Sequence, residues 1–276
     1  MKNYLFILLI CLGCASKKEI VVPKFESKIV SNEKLSCRAI FVDTDKVWLG
    51  MDKGRYGFYD KKKDTLVVKT IQSVSNATEF RSIAATKDAI FILAVGNPAK
   101  LIKIDKKSLQ ETIVYQEENE KVFYDSMQFV DNLNGFAMGD PTEDCLSFIK
   151  TTDGGNSWEK ISCVNFPKVS EGEAAFATSN TNLIVKGKSI FMVSGGKKSR
   201  VFVSHDFGTS WQVYETPIVQ GEEMTGIFTA DFYNDKTGII AGGNYLKQTQ
   251  NWSNKAITTN GGKTWNLIAE NEAFGY

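Results

Sequence analysis

The sequence predicts an all-β fold built from repeats, because one short turn motif recurs along the chain. Residues 151–158, TTDGGNSW, return as SHDFGTSW at 204–211 and as TTNGGKTW at 258–265. Each copy lies between two short apolar runs, which is typical of the tight turn of a β-hairpin. The acidic or amide side chain can accept hydrogen bonds from its own turn, and glycine allows a positive φ. Three copies in register indicate a repeat architecture.

A pattern of four short strands surrounds each turn and occurs five times. The runs are rich in β-branched and aromatic residues and are bounded by Gly, Asp, Asn or Lys. The predicted strands are 38–42, 47–50, 56–59 and 65–68; 81–85, 89–94, 101–104 and 111–115; 126–130, 135–138, 146–150 and 158–161; 174–177, 189–193, 200–203 and 211–214; and 226–230, 237–241, 255–258 and 265–268. The polar turn position is Asp60, Asp105, Asp153, Asp206 and Asn260. The first two turns keep the aspartate but lack the glycine and the tryptophan.

Units of four antiparallel strands, repeated about every fifty residues, are typical of a β-propeller. The alternatives are a pair of β-sandwiches or an open β-solenoid. We expect a propeller domain at 35–276, with blades at about 35–78, 79–121, 122–168, 169–218 and 219–276. Whether five blades close a ring stays open, and a strand from 20–30 would be one way to close it.

The first residues, MKNYLFILLICLGC, are typical of an export signal. Lys2 is followed by a short apolar core that is too short for a permanent transmembrane helix. The pattern resembles a bacterial lipoprotein signal at 1–13, with Cys14 as the lipidated residue and 14–34 as a tether. An ordinary secretory signal is the alternative. The expected location is a bacterial membrane surface facing the periplasm, and which membrane stays open.

Charge and residue usage exclude several classes of function. Lys plus Arg minus Asp plus Glu is 33 − 32 = +1, which argues against a nucleic-acid partner. His205 is the only histidine, so histidine-based metal or nucleophile sites are disfavoured. Glycine pairs occur in VSGGKK and IAGGNY, but neither opens a helix, so no nucleotide cofactor is predicted. We expect no metal and no other cofactor.

Export permits disulfides, and two of the remaining cysteines flank the first complete turn motif. Cys145 and Cys163 lie at the open end of that hairpin, so a disulfide between them is expected, with two free thiols as the alternative. Cys37 is left over and is interpreted as a small core residue.

Longer phrases carry a family resemblance. They are FRSIAATKDAIFILAVGNPAKLIKID, GFAMGDPTEDCLSFIKTTDGGNSW, GEAAFAT, SRVFVSHDFGTSW and TGIFTADFYNDKTGIIAGGNY. From residue 38 to residue 276 the chain resembles the photosystem II stability/assembly-factor-like propellers with Asp-box (BNR) repeats, which are often labelled oxidoreductases in Bacteroidetes. The resemblance implies an exported propeller that binds another protein. Relatives usually have six or seven blades.

The turn motifs are interpreted as scaffold, because in Asp-box propellers they lie on the face opposite the usual binding face. Their tryptophans are expected to pack between blades. The residues with this structural role are Asp153, Gly155, Trp158, Asp206, Gly208, Trp211, Asn260, Gly262 and Trp265. Trp48 is expected in the core, whereas Trp252 lies in a loop and is a possible contact residue.

A binding site is expected at one mouth of the central channel. Arg38 and Arg81 both open the first strand of their blades, and first strands line the channel of a propeller. Asp140, Glu171 and Glu173 fall near the same mouth. The alternative is that the arginines only pair with nearby carboxylates.

The predicted function is therefore a non-catalytic, membrane-anchored propeller that binds an unidentified protein. The rival is a carbohydrate-binding or sialidase-like propeller with a glycan ligand. Such a hydrolase needs clustered arginines and spaced carboxylates. The chain has four arginines, and the FRSI segment at 80–83 lacks the proline of the sialidase motif.

Overall fold

The structure is a computed structural model that describes residues 25–177 and 180–272. The chain divides into two compact units, residues 1–32 and residues 33–276. Residues 25–30 form no strand, so the part of the expected closing strand that the structure describes is absent. The signal at 1–13 and the lipidation site Cys14 lie outside the described residues. No helix within the described ranges is long and apolar enough to cross a membrane.

Five antiparallel sheets follow one another along the second unit, as predicted for a β-propeller. The strands are, in blade one, β1 (Cys37–Val42), β2 (Lys46–Met51), β3 (Arg55–Asp60) and β4 (Thr65–Thr70); in blade two, β5 (Phe80–Ala85), β6 (Ala89–Ala94), β7 (Ala99–Asp105) and β8 (Glu111–Glu117); in blade three, β9 (Tyr124–Phe129), β10 (Gly135–Gly139), β11 (Ser147–Thr151) and β12 (Glu159–Lys160); then β13 (Glu173–Ala174); in blade four, β14 (Leu183–Lys186), β15 (Ser189–Val193), β17 (Arg200–Ser204) and β18 (Gln212–Glu215), with β16 (Gly195–Gly196) between them; and in blade five, β19 (Thr225–Phe232), β20 (Gly238–Asn244), β21 (Lys255–Thr258) and β22 (Asn266–Leu267).

The first strand of blade four was predicted at 174–177, and this prediction is wrong. The inner strand is β14, whose Leu183 pairs with Met192 of β15. Ala174 belongs to β13, which pairs with β16 and, through Gly195 and Gly226, extends the sheet of blade five. The described residues of an insertion at 175–181 belong to neither strand, so the small apolar run AAFA does not form the inner strand of blade four. The other predicted strands overlap the observed ones, with ends that differ by at most three residues.

The core lies between blades, since each sheet buries its faces against its neighbours. Four apolar clusters fill the successive interfaces from blades one and two to blades four and five. The tryptophan of each complete turn motif packs into the interface with the preceding blade. Trp158 meets Phe91 of blade two with ring centroids 6.4 Å apart, and Trp211 meets Phe148 of blade three at 5.3 Å. Trp48 is buried, as expected.

The five inner strands β1, β5, β9, β14 and β19 line one central cavity of about 280 Å³. Each of these strands packs beside the next, but β19 and β1 show no comparable contact. On β1, Ile40 is 60% exposed and Val42 is 66% exposed. The described residues therefore form no closed ring. Cys37 is also exposed, so its assignment to the core is wrong, because this side of β1 has no blade against it.

Asn180 of the blade-four insertion reaches across the channel. Its Nδ2 donates to the Ile83 carbonyl of blade two at 3.0 Å, and its Oδ1 accepts from the Met127 amide of blade three at 3.0 Å. The neighbouring Thr181 hydroxyl lies 2.6 Å from the Thr229 hydroxyl of blade five. The insertion therefore ties together blades that are not adjacent in sequence.

Candidate functional site

The propeller has two faces with different roles. On the box face, the turn motifs lie beside the turns that join the first and second strands. The Gly154 amide, for example, donates to the Leu133 carbonyl at 2.9 Å. On the opposite face, which we call the bulge face, the inner strands begin.

The box face is held by turns that satisfy their own polar groups. The Asp153 carboxylate accepts from the amides of Asn156 and Ser157 at 2.9 and 3.1 Å, and from the hydroxyls of Thr151 and Ser157 at 2.8 and 2.7 Å. Partial burial opposes ionisation, but these hydrogen bonds lower the pKa of Asp153 to about 2. Its oxygens are thus engaged within the turn.

The other turns repeat this arrangement. Asp206 accepts from the Thr209 and Ser210 amides, and hydrogen bonds from Ser210 and Ser204 lower its pKa to about 2. Asn260 accepts from the Thr264 amide at 3.0 Å. In the two turns without glycine or tryptophan, Asp60 and Asp105 still accept two backbone amides each. The aspartate alone is enough to close the turn.

The bulge face is organised by one backbone irregularity. Four of the five inner strands carry a β-bulge that skips a single residue in the pairing register, and the skipped residues are Arg38, Arg81, Asp125 and Phe228. Bulges often aim side chains at functional sites. In blade four, the insertion at 175–181 stands where the single residue would be. The predicted equivalence of Arg38 and Arg81 has this bulge as its structural basis.

Arg81 is held by a carboxylate of its own blade. Its Nε and Nη2 donate to Glu79 Oε2 at 3.0 and 2.8 Å, and its guanidinium lies 5.9 Å from the centre of the Phe123 ring. Arg81, Glu79 and Lys100 line a groove of about 450 Å³. Arg38 does not line this groove. It is exposed and makes no hydrogen bond or ion pair with the described residues.

Asp125 is a buried carboxyl group behind the mouth. It has no exposed surface, and neither of its oxygens accepts a hydrogen bond from the described residues. Burial first, and then the charge of Asp140, raise the pKa of Asp125 well above its ordinary value, while Arg81 opposes this rise.

Asp140 is the partner of this carboxyl group. Its Oδ1 accepts from the Ala175 amide at 2.8 Å, and burial raises its pKa to about 6. The bulge face thus contains two carboxyl groups that resist simultaneous ionisation.

Asp140, Glu171 and Glu173 line a second groove of about 540 Å³, together with Glu143, Asp144 and Lys121. Three of these acids are already engaged, and Asp140 is one of them through the Ala175 amide. Glu173 is buried and accepts from Arg200 Nε at 2.9 Å and from the Ser194 hydroxyl at 2.6 Å, whereas Asp144 pairs with Lys168 at 2.6 Å. Glu143 and Glu171 are exposed and have no such partner among the described residues. They can therefore meet a ligand.

A disulfide lies beside this groove. Cys145 and Cys163 are joined, with Cα atoms 5.6 Å apart. The backbone of Cys145 also forms an isolated antiparallel β-bridge with that of Lys168, and Cys163 is the first residue of a short 3₁₀ helix at Cys163–Asn165. The Cys163 sulfur lies near Glu143 and Asp144, but a disulfide sulfur is not a thiolate ligand, so this cluster is not a metal site.

The structure brings the predicted site residues together only in part. Asp140, Glu171 and Glu173 share a groove, Arg81 lines another, and Arg38 lines neither. Sequence reasoning missed Asp125 because the predicted strand began one residue later. The sequence did contain a signal for Asp125. It stands in Tyr124-Asp125-Ser126 where the two arginines stand in Cys37-Arg38-Ala39 and Phe80-Arg81-Ser82. Trp252 is 51% exposed, on a loop of blade five between β20 and β21.

The arginines do not form a sialidase-like cluster. Arg55 pairs with Asp52 at 2.5 Å, Arg81 with Glu79 at 2.8 Å, and Arg200 with Glu173 at 2.5 Å. These three guanidinium groups, in blades one, two and four, are thus bound to different carboxylates.

Solved structures share the fold. The chain aligns with the structure of U3-55K at a TM-score of 0.60 and 11% identity, over 86% of this chain and 65% of that one. It aligns with a chain of the crystal structure of the mitotic checkpoint complex at a TM-score of 0.61 and 7% identity, over 88% and 67%. The structure of YCF48 bound to D1 peptide aligns over 91% and 87%, at 11% identity and a TM-score of 0.43. The chain spans less than two thirds of the U3-55K structure.

The alignments with the U3-55K structure and with the mitotic checkpoint complex support the β-propeller fold. No protein-family model and no curated protein matches the chain.

Proposed function

We propose that this chain is a non-catalytic, exported β-propeller that binds a protein partner at its bulge face and is tethered to a membrane through Cys14. The observation that carries the proposal is the bulge position, which places Arg38 and Arg81 at equivalent points of adjacent inner strands. A protein partner with complementary charges can recognise charges that are held at fixed positions on a rigid scaffold.

The distribution of engaged and free charges supports this choice of face. Glu79 holds Arg81 in one orientation, whereas Arg38, Glu143 and Glu171 are exposed and make no ion pair with the described residues. Such side chains can form new pairs with a partner without first breaking an internal one. On the box face, the side-chain oxygens of Asp153 and the equivalent turn residues already accept hydrogen bonds from the backbone amides of their own turns.

The proposal includes the resemblance to assembly-factor propellers. The phrases that carry it cover the inner strands β5 and β19, where the bulges lie. A partner that docks during the assembly of a membrane complex would meet the bulge face if the tether leaves that face accessible.

Capture of partners from solubilised membranes tests the site. We expect Arg38→Ala to reduce capture several-fold and Arg38→Ala with Arg81→Ala to abolish it. Arg38 is exposed, so its replacement leaves the Arg81–Glu79 ion pair intact. The matched control is the double variant Lys87→Ala, Lys263→Ala on the box face, which should capture normally. Unchanged capture by the folded arginine variants would rule out the bulge-face site.

Catalysis is tested separately with fluorogenic glycosides. Clear turnover by the purified full chain would overturn the non-catalytic assignment and favour the carbohydrate-active alternative.

A further inference from the structure

A further groove, which we call the basic groove, lies on the box face between blades four and five. It has no role in the proposed protein-binding site. Its volume is about 700 Å³. It is formed by the turn between β14 and β15, the turn between β19 and β20, and the turn motif of blade five. All three turns are held by the blade scaffold, so the walls of the groove are fixed.

The charges of this groove are strongly unbalanced. Four lysines line it, Lys186, Lys188, Lys236 and Lys263, and Asp235 is the only acid. Lys186 lies 3.9 Å from Asp231, but the other three lysines are exposed and make no ion pair with the described residues. Lysine ammonium groups without partners attract carboxylates and phosphates.

An equivalent groove in the same propeller is neutral. It lies on the box face at blades one to three and measures about 530 Å³. Its two lysines, Lys87 and Lys106, face two aspartates, and Lys106 pairs with Asp43 at 2.7 Å. An excess of lysines over acids is therefore not a general feature of the grooves on this face.

Tyr233 and His205 give the basic groove a second property. The Tyr233 side chain is 88% exposed at the groove wall, and the His205 ring lies at the groove with its Nδ1 2.9 Å from the Ser189 hydroxyl. An exposed aromatic ring offers an apolar face beside polar groups, which suits the CH face of a sugar ring.

From these observations we infer that the groove between blades four and five binds an acidic oligosaccharide. The lysines pair with carboxylates on successive sugar units, and Tyr233 packs against a sugar ring. The spread of the lysines over three turns fits several charges better than a single small anion. An acidic peptide is the less favoured ligand, because these turn residues offer no free strand edge for backbone pairing.

Binding of a mannuronate hexamer to the full chain tests the inference, measured by calorimetry at low and at physiological salt. A neutral glucose hexamer and a hexaglutamate peptide are the comparison ligands. We expect binding of the acidic sugar, no binding of the neutral sugar, and at least tenfold weaker binding of the peptide. Salt should weaken the acidic sugar's affinity, because the pairs form at exposed sites.

Variants separate the groove from general attraction to polyanions. Replacing Lys188, Lys236 and Lys263 with alanine should weaken the acidic sugar at least tenfold, and Tyr233→Ala should weaken it about as much. Lys87→Ala, in the neutral groove, should leave the affinity unchanged.

Three results would overturn the inference. The first is no binding of the mannuronate hexamer at low salt, and the second is an equal loss of affinity in the triple variant and in Lys87→Ala. The third is a Tyr233→Ala variant that binds the hexamer as well as wild type, together with hexaglutamate binding as tight as that of the sugar. Amide chemical-shift changes in the wild-type chain provide a readout that needs no variant, and they should centre on residues 186–189, 233–236 and 260–263.

Discussion

Arg81 and Asp125 occupy the same position in adjacent blades, each as the extra residue of a β-bulge in an inner strand. Arg81 is partly exposed and carries its charge to the groove, whereas Asp125 is buried and has no hydrogen-bond partner among the described residues. The guanidinium acts against the rise of the Asp125 pKa, so the two groups are electrostatically linked. The same β-bulge thus places a charge at the surface in blade two and a buried acid in blade three.

The Asp125–Asp140 pair should make stability fall as pH rises. A carboxyl group whose pKa is raised in the folded state binds its proton more tightly there than in the unfolded chain, where the pKa is about 4. Its favourable contribution is therefore complete below pH 4 and is lost as pH rises through the folded pKa, about 6 for Asp140. Asp125→Asn should raise the free energy of unfolding at pH 8 by about 1–3 kcal/mol, because it removes a buried charge.

Urea unfolding between pH 4.5 and pH 8 measures this effect. Wild type and Asp125→Asn should converge at pH 4.5 and diverge at pH 8. The control is Glu223→Gln, a change at an exposed acid. A variant curve that runs parallel to wild type across the whole range would refute the link between the two carboxyl groups.

The box turns should show the opposite dependence on pH. Hydrogen bonds hold the pKa of Asp153 at about 2, so its contribution is present above pH 4 and is lost as pH falls toward 2. Asp153→Ala should destabilise the protein at pH 7 by about 1 kcal/mol, since two backbone amides lose their acceptor. Asp153→Asn should cost less, because blade five already uses Asn260 in this position. Asp88→Ala, at an exposed acid on the same face, is the control, and an equal loss there would contradict the capping role.

Asn180 should be a key polar link across the channel. Asn180→Asp keeps the acceptor for the Met127 amide and suits the left-handed backbone at φ 56°, but it sets a carboxylate oxygen against the Ile83 carbonyl. We expect a loss of about 1–3 kcal/mol in urea unfolding. Asn234→Asp is the matched control, since the Asn234 side-chain oxygen accepts two amides in an exposed turn. Equal stability of the two variants would show that the link contributes nothing.

The Cys145–Cys163 disulfide should contribute to stability by closing a loop of 18 residues. Replacing both cysteines with serine should lower the free energy of unfolding by about 3 kcal/mol. Cys37→Ser, at the exposed free thiol, is the control and should change it little. A double variant as stable as wild type, with and without reductant, would contradict this role.

Much of the fold followed from the turn motifs, because they mark the third and fourth strands of every blade. Asp153, Asp206 and Asn260 gave the register in which the weaker Asp60 and Asp105 turns became recognisable. No turn motif marks a first strand, so the first strand of blade four had to be placed from its apolar residues alone. The run 174–177 looked apolar enough to pair, although an insertion follows it.

The site was predictable only where side chains act independently of packing. Arg38 and Arg81 were found from their equivalent positions, but the pairing of Glu173 with Arg200 joins residues 27 positions apart and depends on the sheet of blade five. Likewise, the burial of Asp125 follows from how blade three meets its neighbours. Periodicity alone does not contain that information.

Photo-crosslinking from single positions in living cells tests the central claim most directly. A photoreactive amino acid at position 38 or 171 reports on the bulge face, and one at position 87 reports on the box face. We expect positions 38 and 171 to crosslink the same protein and position 87 not to crosslink it. Crosslinks to that protein from position 87 alone, or no protein crosslinks from either bulge-face position, would contradict it.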